Sequence, residues 1–100
     1  MAQIEILSED ERNGGWVFDT QILDAQGSLF AVTLSLSWAD YNLWSSDGAD
    51  TPGAVAEAAL LFLVSRMPSE EIRTSFDASL IRRLFTDTDK VIPGFIRRSL

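Results

Sequence analysis

The chain contains no His and no Cys, one Lys (Lys90), one Tyr (Tyr41) and three Pro. Each shortage removes a class of chemistry. Without Cys or His there is no Cys/His zinc site, no His or Cys haem ligand, no disulfide and no imidazole base for a Ser or Thr nucleophile. Lys90 lies beside Asp89, in a setting that does not suit a lysine nucleophile. Asn13-Gly14-Gly15 is followed by neither a helix nor a Lys, so it is not a phosphate loop. No apolar run approaches the ~20 residues a bilayer span needs. The longest is Ala58 to Val64. The amino-terminal segment has no basic region ahead of an apolar stretch, unlike a secretory leader. The expectation is a cytoplasmic protein with no membrane role.

What is present is a 100-residue chain, 46% hydrophobic, with 15 acidic and 8 basic residues and a net charge of −7. One domain spanning 1–100 is the default at this length. The charge is unevenly laid out. Residues 1–65 carry ten acids and only Arg12 as a base, net −9; residues 66–100 carry five acids and seven bases, net +2. Such a balance argues against general affinity for nucleic acid or anionic membranes, and points toward a basic partner or attraction between the two halves.

The first third has the period of strands. Ile4 and Ile6 alternate with Glu5; Trp16, Phe18 and Ile22 oppose Asp19 and Gln21; Phe30, Val32, Leu34 and Leu36 share one face. Asn13-Gly14-Gly15 and Gln26-Gly27-Ser28 supply turns. The expectation is an α+β fold, with a three-stranded antiparallel β-meander over 1–36 and a helical part over 37–100 packed on one sheet face.

Ser37 and Asp40 have capping-box spacing and begin a short helix ending near Ser45, with Leu36 and Tyr41 as staple. Thr51 caps the main helix, with Pro52 at its first position, and Pro68 ends it near Met67. This helix is apolar almost all round, so something must cover it on several sides. Ser69 is read as the cap of a short helix with Ile72 and Phe76 inward. Asp77 caps the next, with Phe76 stapled to Ile81, and with Leu80, Ile81, Leu84 and Phe85 inward. Asp87 to Lys90 is read as a polar break, and Pro93-Gly94 as the start of a last turn anchored by Phe95 and Ile96.

Three polar or aromatic features invite function. Arg82-Arg83 and Arg97-Arg98 suit phosphate or carboxylate ligands, and equally suit helix C-termini, where cations offset the dipole. Trp38, Tyr41 and Trp44 fall at i, i+3, i+6, either a platform for a sugar or peptide, or the anchor of their helix to the sheet or to a subunit interface. Glu9-Asp10-Glu11, Asp47-Gly48-Ala49-Asp50 and Asp87-Thr88-Asp89 offer hard oxygen ligands, but none completes a calcium loop, and solvated loops account for them.

The stretch Phe62-Leu63-Val64-Ser65-Arg66-Met67-Pro68-Ser69-Glu70-Glu71-Ile72, then Ser75-Phe76-Asp77-Ala78-Ser79 and Ile81-Arg82-Arg83-Leu84-Phe85, carries a pattern. It is a hydrophobic helix, an Arg-x-Pro junction, Phe-Asp-x-Ser, and a helix ending in an aromatic. With Ser37-Trp38-Ala39-Asp40-Tyr41 after paired strands, it resembles a group of short bacterial proteins with no activity attached to them. The resemblance spans roughly residues 16–90 and implies no site.

The expected function is a non-catalytic protein-interaction or regulatory module with no cofactor and no metal. Its candidate surface is Trp38, Tyr41, Trp44, Arg82, Arg83, Arg97 and Arg98, or the outward sheet face with Val17, Leu23, Leu29 and Ala31. A homodimer is expected from the all-round apolar main helix together with the Trp38, Tyr41 and Trp44 stripe. A carboxylate-based metal-binding or hydrolytic protein is one alternative; a phosphate or nucleic-acid binder using the four Arg is another.

Overall fold

Two glycines set the course of the first forty residues. Gly14 and Gly27 take φ of +82° and +90°, a region costly for a side chain with a Cβ, and each closes a turn between strands. The computed structural model describes residues 2–97. In it β1 (Gln3–Arg12) pairs antiparallel with β2 (Gly15–Leu23), and β2 with β3 (Leu29–Ser37). At the second turn the Asp24 carboxylate accepts the backbone N–H groups of Gln26 and Ser28. β1 is longer than its hydrophobic pattern: the ladder slips between Ile6 and Ser8, leaving Leu7 as a bulge, then continues through the acidic run to Arg12. Alternation fails to mark Ser8–Arg12 because every side chain there is exposed.

The inward residues of the strands (Trp16, Phe18, Ile22, Val32, Leu34 and Leu36) are buried, as their period of two requires. Thr20 shares that face; its hydroxyl donates to the Val32 carbonyl at 2.8 Å and is thereby satisfied. Gly15 is obligatory for a different reason from the turn glycines. A Cβ there would lie 2.1 Å from the Leu36 carbonyl oxygen.

Ser37 caps α1 (Trp38–Trp44), its Oγ accepting the Asp40 N–H at 3.1 Å. Thr51 caps α2 (Pro52–Arg66) in the same way through Ala54, with Pro52 leading. α2 lies against β1 and β2 on one side and against α1 and α4 on others. Val55, Ala56 and all residues from Ala58 to Leu63 are buried. The cover that its apolar surface demands is therefore supplied within one chain, and the helix gives no reason for a second subunit.

After α2 the structure departs from expectation. The sheet has four strands, in the order β1-β2-β3-β4, because β4 (Ser75–Asp77) pairs parallel to β3 from Thr33↔Ser75 to Ser35↔Asp77. The meander is thus part of a mixed sheet. Ser69 opens a single 3-10 turn, Ser69–Glu71, without capping it; its hydroxyl instead donates to Asp24 Oδ2 at 2.6 Å, fastening this segment to the β2–β3 turn. Ile72 and Phe76 therefore do not share a helix. Three residues are too few for period two to compete with an apparent i, i+4 pair.

Asp77 keeps a capping role from within β4: its Oδ2 accepts the Ser79 N–H at 3.0 Å where α3 (Ser79–Leu84) begins. The polar break is also a helix start. α4 (Thr88–Phe95) opens with Thr88 fully buried, its hydroxyl 2.6 Å from the Phe85 carbonyl and 3.1 Å from that of Ile81. Pro93 lies inside the last turns of α4 rather than at its start. Phe62 of α2 meets Phe85 and Phe95 edge-on, at 5.7 and 6.0 Å between centroids, closing the core on that side. No helix among the described residues is long and apolar enough to cross a membrane.

Candidate functional site

The candidate residues divide into a closed polar cluster, an aromatic anchor and an open apolar groove. Arg82, in the last turn of α3, sits at the centre of the first. Its Nη2 donates to Asp40 Oδ1 at 2.6 Å and its Nε to Asp89 Oδ1 at 3.0 Å, with the guanidinium carbon 5.6 Å from the Trp44 ring centroid. Trp44 Nε1 donates to the same Asp89 oxygen at 2.8 Å. One cation thus ties α1, α3 and α4. Desolvation works against the Arg82 charge, but the two carboxylates outweigh it and raise its pKa. Burial likewise works against the Asp89 charge, and the Trp44 and Arg82 hydrogen bonds outweigh it, holding Asp89 below the usual carboxylate range. Asp40 is only 4% exposed, and its Oδ2 has no hydrogen-bond partner.

The four arginines are not equivalent. Arg82 spends its donors on Asp40 and Asp89. Arg83 lies near Asp77, whose pKa burial would raise; hydrogen bonds from Ser35 and Ser79 and the Arg83 charge lower it instead. Arg97 approaches Glu57 of α2 at 3.8 Å. Arg98 lies outside the described residues. Arg82 and Arg83 do occupy the last turn of α3, where the helix dipole favours cations. A further arginine, Arg66 at the end of α2, grips Asp87 through both terminal guanidinium nitrogens, Nη1 and Nη2, at 3.1 and 2.6 Å and stacks over Phe62 at 4.6 Å. The hydrogen bonds to Arg66 lower the Asp87 pKa and raise that of Arg66.

The aromatic stripe is split by burial. Trp44 is 1% exposed and Tyr41 is buried, its hydroxyl donating to the Asp50 carbonyl. Trp38 is 46% exposed and leans on Trp16, 4.6 Å between centroids, and on Tyr41 at 5.9 Å. Trp38 and Tyr41 hold α1 against Trp16 of β2, with the Trp38 ring partly in water, while Trp44 faces Arg82 and Asp89. Trp16, read from sequence only as a core strand residue, is the partner that completes this cluster. On the outward sheet face Leu29 is well exposed, while Val17 and Leu23 are half-buried.

The acidic groups are dispersed. Asp47 Oδ1 accepts the Ala49 N–H, Asp50 Oδ2 accepts the Ser45 hydroxyl, and Asp87 and Asp89 serve different arginines. Among the described residues no three His, Cys, Asp or Glu side chains gather as a metal ion would need. Asp24 is held low by the Ser69 hydroxyl and its turn N–H groups. Asp24, Asp77, Asp87 and Asp89 thus all shift downward, opposite to the direction a general acid at neutral pH requires.

The feature that sequence reasoning missed is a groove between the end of α2, β4 and α3. Leu63, Ile72 and Ile81 form its floor, and Met67, Phe76, Leu80 and Leu84 its walls, with Glu71 and Arg73 at the rim. Its volume is about 140 Å³. Leu84, expected inward, is 48% exposed here. Phe76, carried by β4 beside β3, faces Leu80, Ile81 and Leu84 of α3 across the groove. No local pattern marks it, because its lining comes from three separate elements. In comparisons with known proteins, no family model matches the chain, and no curated protein and no solved structure matches it, so the functional reading rests on this geometry alone.

Proposed function

We propose that the chain is a protein-interaction module that binds without catalysing, and that it takes an apolar side chain of its partner into the groove between α2, β4 and α3. The observation that carries this is the size and character of the groove. Pockets for cofactors and drug-sized ligands occupy about 300–1,000 Å³. A hollow of 140 Å³ walled by aliphatic side chains and Phe76 suits one aliphatic or aromatic side chain, comparable to the ~150 Å³ that accepts a benzene ring. Elsewhere the conspicuous polar groups serve one another: Arg82 with Asp40 and Asp89, Arg66 with Asp87. Leu84 offers partly exposed apolar surface at the edge, and fully burying the partner's own aliphatic or aromatic side chain contributes about 1.5–3 kcal/mol, or roughly 10- to 100-fold in affinity.

Selection from a random peptide library displayed on phage tests the reading, with Leu84→Glu as the counter-target. Leu84 is exposed, so the variant retains the fold, which circular dichroism verifies. Enriched peptides are expected to share an apolar anchor and to bind Leu84→Glu at least ten-fold more weakly. Peptides that bind both proteins equally, or no enrichment at all, refute it.

A further inference from the structure

The groove leaves unexplained the other end of the sheet, where β1 ends the strand order. Among the described residues only β2 pairs with β1, so alternate N–H and C=O groups of β1 point away from the sheet with no strand to receive them. The half beyond the bulge, Ser8–Arg12, is exposed at every position, in contrast to the Gln3–Ile6 half, where Ile4 and Ile6 are half-buried. The register sends Glu9 and Glu11 to the side of Phe18 and Trp16, and Asp10 to the side of Val17. Negative charge therefore lines both faces of one free edge. Arg12 stands 3.8 Å from Asp10, both well exposed. Among the described residues no ion pair or hydrogen bond reaches the Glu9 or Glu11 carboxylate.

Charge decides what such an edge can accept. A second copy is disfavoured. Antiparallel pairing of two β1 strands about Asp10 sets Asp10 against Asp10 and Glu9 against Glu11. Centring on Leu7 sets Glu5 against Glu9. Like charges directly opposite oppose pairing. An apolar strand is disfavoured too, because an added strand there has water on both faces and no core to extend. A chain segment with Lys or Arg on both sides meets neither objection.

We propose that the Ser8–Arg12 edge of β1 is a docking site for an extended basic segment of a partner protein, which adds as a fifth strand beside β1. Backbone hydrogen bonds supply the geometry and Glu9, Asp10 and Glu11 supply the selectivity. The acidic run thus both bars self-association and selects the partner. This site is independent of the groove: neither Leu84 nor any groove residue takes part.

The test is an NMR titration of the isotopically labelled full chain with a blocked seven-residue peptide alternating Lys and Thr. Shifts are expected to concentrate on Ser8–Arg12 and to weaken with added salt. Outward-pointing amides of Ser8–Arg12 should exchange more slowly in the complex. The triple variant Glu9→Gln/Asp10→Asn/Glu11→Gln, altered only at exposed positions, should bind on the order of ten-fold more weakly, given a few-fold for each exposed ion pair. The same peptide N-methylated at alternate amides, so that it cannot form a ladder, should not bind. Equal binding by the N-methylated peptide, shifts centred away from β1, or no binding at low ionic strength overturns the proposal.

Discussion

Replacing Arg82 with Met removes the cation that joins α1, α3 and α4 while keeping a similar apolar stem. The size of the effect follows from what stays behind. Asp40 is 4% exposed and already has one oxygen without a partner. Its other oxygen would then lose the 2.6 Å hydrogen bond from Nη2. Leaving a buried carboxylate uncompensated costs about 3–5 kcal/mol. Arg82 is itself about one-third exposed, at 33%, and water screens that side of the pair. The lower end, about 3 kcal/mol, is therefore the expected loss. Against the roughly 5–15 kcal/mol that stabilises a domain of this kind, that is a large fraction. The assay is urea unfolding followed by Trp fluorescence, which Trp44 reports from inside the cluster. Asp40→Asn alone should cost less than Arg82→Met, because Arg82 keeps Asp89. The double variant Asp40→Leu/Arg82→Met should recover part of the loss, since an apolar pair replaces a buried ion pair at little cost. If Arg82→Met lies within about 0.5 kcal/mol of the parent, or if the double variant is simply the sum of its parts, the reasoning fails.

The adjoining glycines of the first turn should respond very differently to the same substitution. Gly14→Ala has open space around it but a φ of +82° and should cost about 1 kcal/mol, whereas Gly15→Ala drives a Cβ to 2.1 Å from the Leu36 carbonyl and should lower the urea midpoint several-fold more. Stability should also fall on the acid side. Asp24, Asp77, Asp87 and Asp89 have folded pKa values below their unfolded ones. The unfolded chain therefore binds protons first; their contribution is complete above about pH 5 and drains away as the pH falls through ~4 and below. Urea midpoints at pH 7, 5, 4 and 3 measure this, and Arg66→Gln should flatten the slope by releasing Asp87.

Much of the fold was legible because local chemistry and tertiary packing agree there. Ser37 and Thr51 cap the helices that follow them, Pro52 leads α2, and the alternation of Phe30, Val32, Leu34 and Leu36 marks the buried side of β3. The failures share one cause: a long-range partner overrode a plausible local pattern. Ser69 gave up capping for a hydrogen bond to Asp24, forty-five positions away in sequence. Phe76 joined β3 instead of a helix with Ile72. Thr88 satisfied its hydroxyl on the end of α3, which made a helix start where the sequence shows a polar break. The candidate site was partly legible for the same reason. Trp38, Tyr41 and Trp44 share a helix, but nothing local says that Trp16 meets the first two while Trp44 turns to Arg82 and Asp89. The groove has no sequence signature, since its walls come from three elements that only the sheet brings together.

β4 carries a further consequence for the order in which the chain can assemble. β1, β2 and β3 are linked by short turns, and each finds its neighbour within a few residues of finishing. The pairing of Ser35 with Asp77 spans forty-two residues, and everything from α1 to the 3-10 turn must be threaded between them. During synthesis, β3 therefore leaves the ribosome with one side empty. Its Thr33–Ser35 edge stays without its final neighbour until Ser75, Phe76 and Asp77 have been made. Those three residues are the seam of the molecule: the amino-terminal sheet is complete only when the carboxy-terminal third has arrived to close it.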